Sequence, residues 1–204
     1  MLRKSIAVLL AVIALTAACW LVLRRPDIPY SQLEADYGVS NSQYATLQDG
    51  TVIHYVESGA ENDETLVLLH GFSASSHTWS DWQTILSPDY RVVAIDLPGH
   101  GLSRVNPDAA LTTEAFADVV DEVIGTIGLN SFVLAGNSLG GEVAWKYALA
   151  HPGKVDGLVL VDAAGWDSEG DAADRPLAFR LLDNAIARRV LQDLELGPII
   201  RASM

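Results

Sequence analysis

The chain has 204 residues, half of them hydrophobic, with 13 Lys and Arg against 26 Asp and Glu for a net charge of −13. That length and composition suit one folded domain and exclude a disordered chain. The acidic balance, with no clustered basic face, excludes a nucleic-acid partner. Cys19 is the single cysteine, so neither an internal disulfide nor a cysteine-rich zinc site is available.

In chain order, the first 25 residues form a basic leader. Arg3 and Lys4 precede an uncharged run from Ser5 to Leu23, and Arg24 and Arg25 follow it. Those 19 residues approach the roughly 20 that a helix needs to span a bilayer, and a soluble core helix is rarely apolar on every face. Three readings compete: an uncleaved signal anchor, a cleaved signal peptide, and a lipoprotein signal in which Leu15-Thr16-Ala17-Ala18 precedes a lipidated Cys19. The anchor is preferred, because the run exceeds a typical signal-peptide core and continues past Cys19. Residues 1–25 are therefore expected to form a single-pass membrane segment with the acidic body outside the cytoplasm. A secreted protein or a lipoprotein is the alternative. Basic residues flank both ends, so charge does not fix the orientation.

Residues 26–42, with two prolines and no sustained period, read as a linker. Tyr44–Gln48 and Thr51–Glu57 then read as strands around an Asp49-Gly50 turn. Thr65–Leu69, Tyr90–Ile95, Phe132–Ala135 and Val155–Val161 are short continuous apolar runs, the pattern of buried parallel strands. Between them, Phe116, Val119, Val120, Val123, Ile124 and Ile127 give Thr112–Ile127 one apolar helical face. Glu142–Ala150 reads as a further helix. Alternating buried strands and amphipathic helices predict an α/β fold, a mostly parallel sheet with helices on both faces, over residues 43–166. From 167 to 204 an acidic loop leads into helical spacing at Leu177–Leu194, read as the start of a helical cap.

Gly136-Asn137-Ser138-Leu139-Gly140 fits G-x-S-x-G between a predicted strand and a predicted helix. At such an elbow the serine sits in a strained turn that projects its hydroxyl towards a helix N-terminus. Gly136 and Gly140 leave room for the turn, and Gly141 extends the clearance. A serine nucleophile also needs a base and an oxyanion site. His70-Gly71-Phe72 follows the strand Thr65–Leu69 where this architecture places its second oxyanion donor, so the backbone N–H groups of Phe72 and Leu139 are the candidates.

Together with Asp96-Leu97-Pro98-Gly99-His100-Gly101-Leu102-Ser103 after the strand Tyr90–Ile95, these segments resemble the α/β-hydrolase superfamily, in particular its esterase, lipase and C–C hydrolase members. Asp162-Ala163-Ala164-Gly165-Trp166 is similar to bacterial lipase-like members. The resemblance covers roughly Asp49 to Gly165. It implies acyl transfer through an acyl-enzyme at Ser138, with a small-molecule or lipid ester as substrate, no metal and no cofactor. Serine at the elbow separates the chain from the family branches that carry aspartate there. Inactive lipid- or partner-binding domains, and C–C hydrolases or perhydrolases of the same fold, are the alternatives.

The family's triad runs serine, acid, histidine, with the histidine in a late loop. Here the only histidine after Ser138 is His151, at the far end of the elbow helix. The chain is thus expected to be the N-terminal part of a longer hydrolase, with its general-base histidine absent. Asp162, at a strand end on the catalytic edge, is the one candidate acid.

Overall fold

The computed structural model describes residues 2–23, 27–106 and 109–166. The expected cap at 167–204 lies outside them. Helix α1 (Leu2–Leu23) is continuous. Its stretch Ser5–Leu23 has a mean hydropathy of 2.8, none of it buried in the protein, which is long and apolar enough to cross a membrane. Residues 30–167 form a separate compact unit and are described by themselves.

That unit begins with helix α2 (Tyr30–Tyr37), inside the segment read from the sequence as a linker. Its polar composition gives no apolar stripe, and its anchoring is tertiary. The Tyr30 hydroxyl donates to Ser103 O at 3.2 Å, the Arg104 guanidinium pairs with the Glu34 carboxylate, and Arg104 lies over the Tyr30 ring at 4.8 Å.

Strands β1 (Ser42–Thr46), β2 (Val52–Ser58), β3 (Thr65–Leu69), β4 (Arg91–Ile95), β5 (Phe132–Asn137) and β6 (Val155–Val161) make one six-stranded sheet in the order β1-β2-β4-β3-β5-β6. The β1–β2 hairpin turns through Asp49-Gly50. Asp49 Oδ1 accepts the Thr51 N–H at 2.8 Å, and Gly50 alone takes a positive φ, 86°. β2 pairs antiparallel with β4, whereas β4, β3, β5 and β6 are parallel. The C-terminal ends of β3, β4 and β5 therefore open on one edge, the side on which open α/β sheets bind ligands.

The interior strands are apolar on both faces because both are covered. On one side, helices α4 (Thr113–Thr126) and α5 (Leu139–Ala150) bury Phe116, Val120, Val123, Ile124, Val143 and Tyr147 against Val67, Leu69, Val93, Ile95 and Leu134. On the other, a 3-10 turn (Ser76–Trp79) and helix α3 (Ser80–Leu86) set Trp79 against Leu68, Val92, Ala94 and Ala135. The ends of α4 are written in its sequence. The Thr112 side chain caps Ala115 N–H at 3.2 Å, and Gly128, at φ 72°, lets Leu129 N–H reach Ile124 O at 3.1 Å.

Candidate active site

β5 ends at Asn137 and α5 starts at Leu139, so the chain reverses within Ser138, at φ 50° and ψ −115°. A residue with a Cβ is held there only if its surroundings over-determine the turn, at a cost of about 1–3 kcal/mol. They do so. Ser138 N–H donates to Val161 O at 3.0 Å, and Ser138 O accepts from Glu142 N–H at 3.1 Å and Ala164 N–H at 2.9 Å. The turn is clamped between β6 and the first turn of α5. The glycines around it are a packing requirement. A methyl on Gly136 would stand 2.2 Å from Gly140 O, one on Gly140 2.3 Å from Leu69 O, and one on Gly141 2.5 Å from the Ala163 Cβ.

The loop after β3 passes beside this turn. A Cβ at Gly71 would lie 2.9 Å from Asn137 Oδ1 and 3.4 Å from the Ser138 Cβ. Phe72, next along the chain, is exposed; Leu139, after Ser138, is half-buried. Their N–H groups thus belong to two segments that meet at Ser138. His70 fixes the loop from beneath. It is fully buried; Leu97 N–H donates to its Nε2 at 3.0 Å, and its Nδ1 lies 2.7 Å from Gly71 O. A backbone N–H on Nε2 leaves the proton on Nδ1, donated to Gly71 O. Burial lowers the His70 pKa against smaller opposing effects, among them the Gly71 hydrogen bond and the Asp96 charge, and the neutral tautomer results. Ser73, one residue beyond Phe72, also has a positive φ, 55°.

None of the five histidines is hydrogen-bonded to Ser138. His70 serves the loop, His77 meets Ser75 Oγ at 3.3 Å, His100 meets Pro98 O at 3.0 Å, and His151 stacks on Tyr147 with ring centroids 4.6 Å apart. Asp162 follows β6, exposed and at φ 45°.

His54 carries a pairing that sequence reading missed. Its ring joins Asp96 Oδ2 at 2.8 Å through Nδ1 and Ser42 Oγ at 2.8 Å through Nε2. Asp96 Oδ1 also accepts Ser76 N–H at 2.6 Å, and Oδ2 accepts Leu102 N–H at 2.9 Å. Burial by itself would raise the Asp96 pKa, but these hydrogen bonds outweigh it and hold the carboxyl below the usual range. No local pattern points to the pair, because its members lie 42 positions apart and meet across the antiparallel β2–β4 pairing.

The family model described as alpha/beta hydrolase fold matches residues 64–189. A 1-acylglycerol-3-phosphate O-acyltransferase of Arabidopsis thaliana is 42% identical over 117 residues, 55% of this chain and 28% of that one. A 2-hydroxy-6-oxononadienedioate/2-hydroxy-6-oxononatrienedioate hydrolase of Paraburkholderia phymatum is 33% identical over 129 residues, 60% of this chain and 44% of that one. The crystal structure of a membrane phospholipase A, a bacterial virulence factor, superposes with a TM-score of 0.60 at 32% identity, covering 84% of this chain and 55% of that one. The chain thus spans roughly half or less of the length of these relatives. With the elbow, the loop after β3 and the parallel sheet in the matched segment, the chain belongs to the α/β-hydrolase fold family.

Proposed function

We propose that this chain carries the nucleophile and the oxyanion donors of a serine hydrolase that acts on carboxylic esters and is tethered to a membrane by α1, with its acidic body outside the cytoplasm. The observation that carries the reading is the clamped, positive-φ turn at Ser138 with Gly71 against it. In this reading Ser138 Oγ attacks the ester carbonyl and the alcohol leaves with a proton. The Phe72 and Leu139 N–H groups receive the negative oxygen of the tetrahedral intermediate, and water then releases the acid from the acyl-enzyme. Glycine at 71 lets the donor loop approach the nucleophile, and neutral His70 holds the Gly71 carbonyl by its Nδ1–H. The general base is the part that the described residues do not supply.

The test is labelling of the protein isolated from its native source with an alkyl fluorophosphonate, followed by peptide mass spectrometry. An adduct on Ser138 that disappears in Ser138→Ala supports the reading; a native protein that stays unlabelled refutes it. A second reading, C–C bond cleavage, is favoured by the similarity to the Paraburkholderia hydrolase. A panel of esters and vinylogous diketones separates the two.

A further inference from the structure

A second serine has what Ser138 lacks among the described residues, a histidine on its hydroxyl. Ser42 Oγ lies 2.8 Å from His54 Nε2, and the other ring nitrogen, Nδ1, lies 2.8 Å from Asp96 Oδ2. Three adjacent strands each supply one member. Ser42 opens β1 and pairs with Val56, two residues from His54 on β2, so the two side chains are diagonal neighbours on one face. Asp96 directly follows β4, and its N–H donates to His54 O at 2.9 Å. The hydrogen bonds of the sheet thus hold the line of three in place.

One direction of donation fits all of these bonds. Burial raises the Asp96 pKa, but hydrogen bonds from His54, Leu102 N–H and Ser76 N–H outweigh it, so the carboxylate only accepts. His54 Nδ1 is then the donor, and in the neutral ring Nε2 keeps its lone pair facing Ser42. The Ser42 hydroxyl donates to that lone pair. Its oxygen also accepts Val39 N–H at 3.0 Å, which leaves the second oxygen lone pair for attack. His54 and Asp96 are fully buried and Ser42 is half-buried, so the base and its orienting acid are shielded while the hydroxyl is reachable from solvent. A nucleophile within hydrogen-bond reach of a base that a third group orients is the arrangement that activates a serine.

We propose that Ser42, His54 and Asp96 form a second reactive serine site, which takes an acyl group from activated esters. Ser42 Oγ bonds to the ester carbonyl carbon, the hydroxyl proton passes to His54 Nε2, and the bond from that carbon to the leaving oxygen breaks. The products are acyl-Ser42 and the alcohol, which leaves with the proton, so no oxidant, reductant or further reactant is needed. The backbone donor at the site, Val39 N–H, is directed at Oγ itself and not at a place for a carbonyl oxygen. The tetrahedral intermediate therefore gains little stabilisation. That restricts the site to esters with good leaving groups and to a single acylation per chain in place of a cycle. The site is independent of Ser138.

The experiment uses the full chain in detergent micelles, carrying Ser138→Ala so that the elbow is silent, and treats it with p-nitrophenyl acetate. Absorbance follows release of p-nitrophenolate, and peptide mass spectrometry maps the acetyl adducts. The expected result is a fast phase of about one equivalent per chain, with Ser42 acetylated about a hundredfold faster than the other accessible serines, the lower end of what a positioned base contributes. Adding Ser42→Ala removes the fast phase. Adding His54→Gln slows acetylation of Ser42 about a hundredfold. Should that variant fail to fold, urea takes its place, since unfolding parts the three strands and Ser42 then reacts no faster than the other serines. Acetylation of Ser42 in the folded chain at the rate of the other serines overturns the site. So does an excess that survives urea or a folded His54→Gln variant, and the three residues are then a structural hydrogen-bond line. Because Ser138 is absent throughout, no outcome bears on the ester-hydrolase reading.

Discussion

Ser138→Gly is expected to make the body more stable than Ser138→Ala does. Both variants remove the hydroxyl, so the comparison isolates the Cβ at φ 50° and ψ −115°. Holding a Cβ in that region costs about 1–3 kcal/mol, and alanine retains the full amount. Glycine removes it but loses about 0.5–1 kcal/mol through the greater freedom of its unfolded chain. The difference leaves Ser138→Gly ahead by about 1 kcal/mol, or roughly 2–4 °C in melting temperature for a body of this size. Near-ultraviolet circular dichroism of the two variants in the same detergent reads it directly. If Ser138→Gly melts at or below Ser138→Ala, the turn is not strained and the clamping argument is wrong.

Other perturbations test the surroundings of the elbow. Gly140→Ala drives a methyl into the Leu69 and His70 carbonyls, atoms of a central strand end that cannot swing aside, and is expected to cost about 3 kcal/mol or more in urea unfolding. Asp96→Asn weakens the buried hydrogen bonds to His54, Ser76 N–H and Leu102 N–H and is expected to cost about 1–3 kcal/mol. The folded Asp96 pKa lies below its unfolded value of about 3.9. Its stabilisation is therefore complete above that value and lost as pH falls through the folded one, and the variant should show a flatter acid limb in a pH series of melts. The folded His70 pKa also lies below its unfolded value, about 6.5. The unfolded chain then binds more protons in that window, and stability declines as pH falls from about 6.5. His70→Ala should remove that slope, leave Leu97 N–H without its acceptor at a cost of about 1–3 kcal/mol, and slow fluorophosphonate labelling of the native-source protein through a loosened Gly71 loop.

The parallel strands and the elbow were legible in the sequence because each rests on local pattern. A run such as Thr65–Leu69 is buried on both faces and needs no alternation, and Ser138 stands between a strand and a helix whose glycines are spaced for the turn. The helix spanning Thr113–Thr126 was legible to within a residue because Thr112 and Gly128 mark its ends. Helix α2 was not, since Tyr30–Tyr37 has no apolar face of its own and is held by Ser103 and Arg104, some seventy positions away. The His54–Asp96 pair is invisible for the same reason, as its members meet only when β2 docks antiparallel on β4. The role of glycine at 71 appears only once two loops distant in sequence are brought within a methyl's width.

Strand β6 bears on how the protein must be handled. It is the last strand of the sheet among the described residues, and it exposes Leu158, Val159 and Leu160 at 40%, 39% and 46%. An edge strand with exposed apolar side chains is a template for any other extended chain. Two copies meeting there would add strands to one another, and their encounters rise with the square of concentration. Refolding yield of the isolated chain should therefore fall steeply as protein is added, and dilution, or a charged residue in place of Val159, should restore it.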